Sequence, residues 1–523
     1  MPFAPPGAKS GAMSTHDAPP REPVPARFNL ARYCLEGNAR ARPDGLALTI
    51  VGDAGALRYS YADLDHRVRA LASGFGALGL SPGARVMIRM GNEAGAALAY
   101  FAAIAGGYVA LIASAQLTFE EAAFLVADCG ASVLILGADF ETETHEATGL
   151  AVLRGADLDR LLQTPPLHHY ADTGANDPAY LVYTSGTTSR PKGVLHAHRA
   201  AYARRPMYEH WMAIGPADVM LHAGAINWTY TLGVGVVDPL ANGAQAVLFN
   251  GAPDPAVWPR LIETYGATLF AAVPGVYRQI LKSGAHERHS LKSLRHGLSA
   301  GAALAPALLE QWRDATGVEI FEAFGMSECS TFVSSSPTTP TKPGSPGRPQ
   351  PGRRVAVLGR DAGDTPLPPG ETGLLAVRRD EPALMLSYWN RPEEEREAVR
   401  GDWFLSGDLV EMDADGYLWH HGRADEVMNA GGYRVSPAEV EKCLLAIPGV
   451  AEAAAAERPG RDASATIVKA YIVRGAGGEA LSEADILAHC GAHLAAYKRP
   501  RAVVFIEALP RNANGKLRRS ELP

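Results

Sequence analysis

Residues 183–193 have the sequence YTSGTTSRPKG and directly follow the apolar residues 179–182. Consecutive threonine and serine hydroxyls, two glycines and one lysine can surround triphosphate oxygens, because glycine lets backbone N–H groups approach closely. The segment does not match the Walker A pattern G-x-x-x-x-G-K-[ST]. A surface turn rich in serine and threonine has a similar composition, but a lysine and a glycine at fixed places after a strand favour phosphate binding.

Helical and strand-like patterns alternate around this segment. Residues 61–78 have helical periodicity, whereas residues 85–90, 132–136 and 246–250 are short apolar runs typical of buried strands. This alternation predicts α/β layers with largely parallel sheets. Residues 338–352, TTPTKPGSPGRPQPG, are rich in proline and glycine and predict an extended connector into a small β-rich subdomain.

The chain of 523 residues exceeds one compact core, so at least two folding units are expected. Residues 1–26 are rich in proline and small polar residues, which predicts a disordered tail. Residues 27–422 form the predicted N-terminal domain, with its α/β subdomains and the β-rich subdomain. About 100 residues follow in an α+β pattern and suffice for a separate C-terminal domain. That pattern consists of helices at 437–445 and 481–494 and strands at 464–473 and 502–506.

Composition and charge argue against several classes of partner. The chain is 47% hydrophobic and 20% charged, and its net charge of -7 gives no basic surface for nucleic acid. Its five cysteines are scattered without a Cys-x-x-Cys pair, which fits a reducing cytoplasm. No apolar run approaches the roughly 18 residues of a membrane-spanning helix, and no export signal is recognisable. We therefore expect a cytoplasmic protein that binds neither nucleic acid nor membrane.

Further short segments follow YTSGTTSRPKG along the chain: GLSAGAA at 297–303, FGMSE at 324–328, GETG at 370–373, SGD at 406–408, GRAD at 422–425 and PRNANGK at 510–516. Together they resemble the motifs of the adenylate-forming superfamily of acyl-CoA synthetases, luciferases and peptide-synthetase adenylation domains. The resemblance is closest to the AMP-forming acyl-CoA synthetases, which are acid–thiol ligases. It implies an enzyme that converts a carboxylic acid and ATP into an acyl-adenylate and pyrophosphate. Transfer of the acyl group to coenzyme A (CoA) then releases AMP.

The resemblance also implies which residues bind the nucleotide. They are Thr184, Ser185, Gly186, Thr187, Thr188, Lys192, Ser299, Ala300, Gly301, Ala302, Glu322, Ala323, Phe324, Gly325, Met326, Ser327, Asp408 and Arg423. Phe324 would stack on adenine, Asp408 would accept hydrogen bonds from the ribose, and Arg423 would contact ribose or phosphate. Glu328, with Thr184, would hold a Mg²⁺ ion that screens the phosphates. Lys192 and Glu328 would act in catalysis together with Lys516, which would bridge the carboxylate and the α-phosphate.

The second half-reaction needs a thiol on the side that Lys516 would occupy. By the same resemblance, a mobile C-terminal domain at residues 428–523 rotates about a hinge at 423–427, with Asp425 as the hinge residue. The residues expected to line the CoA channel are Gly431, Gly432, Tyr433 and Arg434. A Gly-Gly turn before the helix at 437 would explain the two glycines equally well.

The acid is expected to bind between segment 222–235 and segment 329–334, which follows Glu328. The predicted pocket residues are Ala225, Trp228, Thr229, Tyr230 and Cys329. Trp228 and Tyr230 suit a small flat acid, although ordinary core aromatics would look the same. The segment lacks an acidic residue that would recognise an α-amino group, which argues against amino acid substrates. The chain most resembles synthetases for aromatic, alicyclic or short- to medium-chain acids.

Two other functions stay open at this point. A stand-alone adenylation enzyme would share the first step but load the phosphopantetheine of a carrier protein. A non-catalytic nucleotide-binding relative would keep the fold as a sensor or scaffold, but the presence of Lys192, Glu328, Asp408, Arg423 and Lys516 argues against it. The sequence identifies neither the acid nor the oligomeric state, for which a homodimer is one possibility.

Overall fold

The computed structural model describes residues 15–17, 22–146, 148–184, 191–252, 254–361, 363–424, 426, 428–430, 433–459, 466–511 and 517–523. The contacts within the chain divide it into two compact units. The larger unit consists of Asp17–Arg354 and Arg379–Glu397, and the smaller unit of Met1–His16, Val355–Arg378 and Ala398–Pro523.

A large sheet with a parallel centre lies in the larger unit. Among the described residues it has nine strands, in the order Arg348–Pro349, Ser330–Ser334, Ile320–Met326, His296–Ser299, Leu269–Ala272, Val219–His222, Gln245–Phe249, Leu46–Gly52 and Gly55–Ser60. The six strands from Ile320–Met326 to Leu46–Gly52 run parallel, and the outer strands pair antiparallel. The central strands are almost fully buried, as expected when helices cover both faces of a parallel sheet.

The second sheet of the larger unit carries the segment at 183–193. In the part of the chain that the structure describes, its seven strands are ordered Ser387–Tyr388, Lys192–Ala197, Pro178–Thr184, Val109–Ala113, Arg85–Arg89, Ala131–Leu136 and Ala151–Leu153. The last five run parallel, whereas Lys192–Ala197 pairs antiparallel with both of its neighbours. Thr184 and Lys192 are therefore directly opposite each other in the ladder.

Helices separate these strands. The described α-helices of the larger unit are Leu30–Ala41, Tyr61–Ala77, Ala94–Ala105, Phe119–Cys129, Gly155–Leu161, Arg199–Tyr202, Arg205–Met207, Thr229–Leu232, Asp238–Ala241, Val257–Tyr265, Pro274–Ser283, Ala285–Arg288, Pro306–Thr316 and Pro392–Glu397. Shorter 3₁₀ or π turns occupy Ala138–Phe140, Tyr208–Met212 and Gly233–Val237. No helix among the described residues combines the length and the apolar character needed to cross a bilayer.

The smaller unit is richer in antiparallel strands. One sheet contains Thr15–Asp17, Arg354–Leu358, Gly373–Arg378, Trp403–Met412, Val399–Arg400 and Leu418–Arg423. Further strands among its described residues are Met428–Ala430 and Tyr433–Val435, which form a pair. Val450–Pro459, Thr466–Arg474 and Ala502–Phe505 form a three-stranded sheet. The helices Pro437–Leu445 and Glu483–His493 contribute to one core with that sheet, and 3₁₀ turns lie at Ala496–Lys498 and Arg519–Glu521.

These elements confirm the predicted fold class, an α/β protein with a β-rich subdomain and an α+β region at the C-terminal end. The compact units do not divide at residue 422, because the antiparallel strands at 355–378 and 398–423 group with the C-terminal residues. The domain boundary at 422 and the hinge at 423–427 stay predictions, since residues 425 and 427 lie outside the described residues. The last residues of the predicted tail, which ends at 26, contact the rest of the larger unit. Val24 packs on the core of that unit, and the Tyr202 hydroxyl donates a hydrogen bond of 2.9 Å to Glu22.

Candidate active site

The ends of the predicted phosphate loop are held together by the strand pair that flanks it. The Thr184 hydroxyl donates a hydrogen bond to the carbonyl oxygen of Lys192 at 3.5 Å. The loop residues predicted to bind phosphate, Ser185, Gly186, Thr187 and Thr188, lie outside the described residues. Their role therefore stays a prediction, carried by the position of the loop between two antiparallel strands.

Lys192 and Glu328 meet at the short strand Ser387–Tyr388. The Tyr388 hydroxyl donates to Glu328 Oε1 at 2.7 Å, and the Lys192 ammonium lies 5.6 Å from the centroid of the Tyr388 ring. Lys192 Nζ also forms an ion pair of 2.5 Å with Glu394 Oε2. Two residues predicted separately from two motifs are thus brought together by a tyrosine that no motif indicated.

Glu328 and Thr184 both carry oxygen atoms of the kind that a magnesium ion prefers. No cluster of three or more His, Cys, Asp or Glu side chains suited to a metal occurs within the described parts of the chain. Mg²⁺ is usually held by one or two carboxylates, with substrate phosphates and water completing its oxygen ligands. The single Glu328 carboxylate and the Thr184 hydroxyl have this hard-oxygen chemistry.

Gly301 and Trp228 are in direct contact. Gly301 follows the strand His296–Ser299 and has φ +86°, and a Cβ placed on it would lie 2.6 Å from Trp228 Cη2 and 2.7 Å from Cζ2. The indole edge therefore rests on the backbone of the segment predicted to bind the nucleotide. Within this segment, the hydroxyl of the fully buried Ser299 has no hydrogen-bond partner among the described residues.

The strand Ile320–Met326 carries the next group of predicted nucleotide residues. Its ladder is irregular between Phe324 and Gly325, and a Cβ on Gly325 would lie 2.2 Å from the carbonyl oxygen of Ser330, so only glycine fits. Phe324 packs edge to face on Phe332 at 5.9 Å. The motif FGMSE indicated a glycine at this position. The reason for it, the close approach of the neighbouring strand, could be seen only in the structure.

Glu322 is buried, although it was predicted among the nucleotide-binding residues. Its Oε1 accepts a hydrogen bond of 2.9 Å from the Leu304 amide, which connects the strand to the segment after Gly301. Burial raises the pKa of Glu322 to about 8, because the charged carboxylate loses its hydration. Near neutral pH the side chain is therefore largely protonated, and its observed contact is structural.

Trp228 and Tyr230, both predicted to line the acid pocket, have different environments. Their rings pack edge to face at 5.3 Å. Tyr230 is buried, donates a hydrogen bond to the Leu298 carbonyl at 3.2 Å, and stacks on Trp211 at 6.1 Å. Trp228 is only partly buried. Tyr230 thus belongs to the core and supports Trp228, whose indole is the more accessible of the two.

The other predicted pocket residues, Ala225, Thr229 and Cys329, have different environments. The Ala225 carbonyl accepts a hydrogen bond of 3.0 Å from the Trp228 amide and so shapes the turn before Trp228. Cys329 is fully buried, and burial raises the pKa of its thiol, so it is not a nucleophile. Thr229 lines a small internal cavity of about 30 Å³, together with Ser327.

Two polar groups near this cavity were not predicted. Arg204 lines it and forms two hydrogen bonds of 2.6 Å with the buried carboxylate of Asp238. His196 also lines it; burial lowers its pKa to about 4, so the neutral ring donates from Nε2 to the Ser327 carbonyl at 2.8 Å. A lone arginine or histidine belongs to no motif, so these two side chains could not be assigned to one cavity from the sequence.

In the smaller unit, Asp408 and Arg423 are opposite each other on paired antiparallel strands. Arg423 Nη1 donates to the Ser406 carbonyl at 2.7 Å and lies 3.5 Å from Asp408 Oδ2, and His420 Nε2 lies 3.1 Å from Oδ1. Burial alone would raise the pKa of Asp408, but the hydrogen bond from His420 and the charge of Arg423 outweigh it and lower the pKa. Asp408 is therefore an ionised carboxylate, suited to accept hydrogen bonds from hydroxyls.

The predicted hinge, CoA channel and catalytic lysine fall largely outside the described residues. Lys516, Asp425, Gly431 and Gly432 lie outside the described residues. For Tyr433 and Arg434 only the backbone is described, and it pairs with Ala430 and Asn429. The hinge, the CoA channel and the catalytic lysine thus stay predictions.

Comparison with known proteins identifies the family of this chain. Residues 35–389 match the family described as AMP-binding enzyme, and residues 439–516 match the AMP-binding enzyme C-terminal domain. The chain belongs to this AMP-binding enzyme family. Within it, the chain is an AMP-forming acyl-CoA synthetase, an acid–thiol ligase that uses ATP to activate a carboxylic acid as its adenylate and then transfers the acyl group to CoA.

Similar proteins include several ligases of aromatic acids. The chain is 30% identical over 492 residues to a 3-hydroxybenzoate–CoA ligase of Aromatoleum sp. (strain CIB), covering 90% of this chain and 92% of the relative. It is 31% identical over 522 residues to a benzoate–CoA ligase of Thauera aromatica, covering 97% and 98%. A solved structure of the anthranilate CoA ligase AuaEII with anthranoyl-AMP superposes with a TM-score of 0.85 at 29% identity, covering 94% of this chain and 96% of that one.

Proposed function

We propose that the acid activated by this enzyme is a small aromatic carboxylic acid. The observation that carries the proposal is Trp228, a partly exposed indole fixed by Tyr230 and by the backbone of Gly301. Such a fixed ring offers an apolar face, and aromatic rings favour offset-stacked or edge-to-face contacts with one another. The names of the relatives, which act on benzoate and hydroxybenzoate, support the same class.

The first half-reaction brings a carboxylate against an α-phosphate, and these two anions repel each other. We assign Lys192 to the phosphates, because it follows the predicted loop in the chain and contacts the ring of Tyr388, whose hydroxyl donates to Glu328. Glu328 and Thr184 would hold Mg²⁺, which when bound screens the phosphates and orients the leaving pyrophosphate. Lys516 would neutralise the reacting anions, and holding the reactants in line is worth roughly 7 to 11 kcal/mol of barrier.

The remaining assignments position the nucleotide. Phe324 would stack on adenine beside Gly325, whose missing side chain allows the neighbouring strand to approach. The ionised Asp408 would accept hydrogen bonds from the ribose hydroxyls, and Arg423 would donate to ribose or phosphate. The hydrogen bond from His420 and the charge of Arg423 keep the pKa of Asp408 low. These roles come from the motifs and from the charge state of Asp408.

For the second half-reaction we propose that the C-terminal domain moves about Asp425 and that Gly431, Gly432, Tyr433 and Arg434 line the path of the CoA thiol. The match of residues 439–516 to the C-terminal domain of the family supports a domain of this kind. No observation favours a carrier protein as acceptor, because the similar curated proteins are named as ligases that use CoA.

The substrate class is tested by ATP–pyrophosphate exchange, measured with benzoate, 3-hydroxybenzoate, 2-aminobenzoate, cyclohexanecarboxylate, hexanoate and phenylalanine. Exchange with the benzoates should exceed exchange with the other acids. A Trp228→Leu variant, which keeps an apolar side chain but loses the ring, should lose most of this preference. Wild-type exchange that is as fast with hexanoate as with the benzoates would refute the aromatic assignment.

A further inference from the structure

Glu394 holds the phosphate-site lysine through a charge contact that the family motifs do not include. The residue lies on the short helix Pro392–Glu397, and its Oε2 is 2.5 Å from Lys192 Nζ. About a quarter of each side chain is exposed, so the pair is only partly screened by water. The pair lies next to the Tyr388–Glu328 hydrogen bond, and both contacts come from the segment 388–394.

The helix that carries Glu394 is anchored independently of Lys192. Arg391 Nη2 lies 3.0 Å from Asp128 Oδ1, and the Trp389 indole N–H donates to the Asp128 carbonyl at 2.9 Å. Arg391 Nε is also 4.0 Å from Glu394 Oε1. When Glu394 leaves Lys192, its carboxylate therefore retains a cation within reach, and the helix need not unfold.

We propose that Glu394 is a positioning residue for Lys192. Its carboxylate occupies the ammonium before ATP binds, and phosphate oxygens of ATP then replace it. The inference rests on the proposed role of Lys192 in binding phosphate. Two anions cannot share one ammonium without repulsion, so the carboxylate competes with ATP and weakens its binding. In return, it holds the long, flexible lysine side chain in one position beside Tyr388.

Equilibrium binding of Mg·ATP to the full chain, measured by calorimetry without acid or CoA, tests this competition. Glu394→Gln should lower the Kd for ATP by about three- to tenfold, since the ion pair no longer has to be broken. The difference from wild type should shrink at high salt, because the lost interaction is electrostatic. In steady-state assays the KM for ATP should fall, whereas the KM for the acid should not change.

Glu393→Gln is the matched control. Glu393 lies on the same helix, is exposed, and pairs with Arg396 rather than with Lys192. The variant makes the same change in charge one residue away, so it should bind ATP like wild type. Glu394→Asp keeps the charge on a shorter side chain and should lie between wild type and Glu394→Gln.

The outcomes separate this inference from the proposed function. A Lys192→Met variant that binds ATP as well as wild type would remove the proposed role of Lys192. If Lys192→Met weakens ATP binding but Glu394→Gln leaves it unchanged or weaker, the inference alone fails. It also fails if Glu393→Gln tightens binding as much as Glu394→Gln, because the effect is then one of general charge. An error in the acid class would leave all these values unchanged, since no acid is present.

Discussion

Replacing Gly301 by alanine tests the contact on which the proposed acid pocket depends. The new Cβ would lie 2.6 Å from Trp228 Cη2, whereas carbon atoms in contact are normally about 3.5 to 4.0 Å apart. The indole must therefore move by about 1 Å, and overpacking of this kind costs about 1 to 3 kcal/mol. The φ of +86° adds about 1 to 2 kcal/mol for a residue with a side chain. We expect a total loss of roughly 2 to 5 kcal/mol.

Gly266→Ala separates the two contributions. Gly266 also has a positive φ, +61°, at the end of the helix Val257–Tyr265, but a Cβ there would meet no atom within 4 Å. This control should lose only the backbone part, about 1 to 2 kcal/mol. Urea unfolding gives both free energies, and kcat/KM for the acid should fall in Gly301→Ala and stay at the wild-type value in Gly266→Ala.

A double-mutant cycle tests whether the steric part of the stability loss in Gly301→Ala comes from contact with Trp228. In Gly301→Ala combined with Trp228→Leu, the steric part should disappear, so the two changes should be non-additive by about 1 to 3 kcal/mol. Strictly additive losses would refute the contact between Gly301 and Trp228. So would a Gly301→Ala variant that is no less stable than Gly266→Ala.

Three further predictions concern charge and domain movement. Asp238→Asn should lower the free energy of unfolding by about 3 to 5 kcal/mol in urea melts, because it leaves the buried Arg204 charge unpaired. A loss below about 1 kcal/mol would contradict this prediction. The pKa of Glu322 is about 8 in the folded chain against an ordinary value of 4.5, so the folded state holds an extra proton between these pH values. The free energy of unfolding should therefore fall as pH rises through this range, by up to about 1.4 kcal/mol per pH unit, and Glu322→Gln should remove this dependence. Lys516→Ala should abolish adenylation but spare thioester formation from a supplied acyl-adenylate. Asp425→Pro, with φ fixed near about -65°, should instead impair mainly thioester formation. If the two variants show the same kinetic defect, the C-terminal domain does not take two positions.

Local patterns in the sequence predicted most of the elements. The helical period at 61–78 corresponds to the helix Tyr61–Ala77, which Ser60 caps by accepting a hydrogen bond from the Asp63 amide. At the C-terminal end, the helix predicted at 437–445 is present as Pro437–Leu445, and the strand at 464–473 as Thr466–Arg474. The connector at 338–352 was only partly right, because Arg348–Pro349 pairs with Ser330–Ser334 at the sheet edge. Such elements are predictable because caps, periodicity and turn residues act over a few positions.

Contacts between distant residues were not predictable in the same way. Tyr388 reaches Glu328 across sixty positions, and Arg204 meets Asp238 because a helix and a turn pack together. Trp228 was ambiguous in the sequence and became interpretable only through its contact with Gly301. The motifs identify the chemistry of the candidate site, whereas the packing of a distant segment, the strand Ser387–Tyr388 and the helix Pro392–Glu397, determines which side chains contact its lysine and its glutamate.

The most direct test of the aromatic-acid assignment is kcat/KM for acyl-CoA formation with 3-hydroxybenzoate compared with hexanoate, with the nucleotide product identified in the same reaction. We expect AMP and thioester in equal amounts and a kcat/KM at least about tenfold higher for the aromatic acid, the range over which an apolar pocket discriminates. A kcat/KM for hexanoate equal to or above that for 3-hydroxybenzoate, or ADP as the product, would contradict the account.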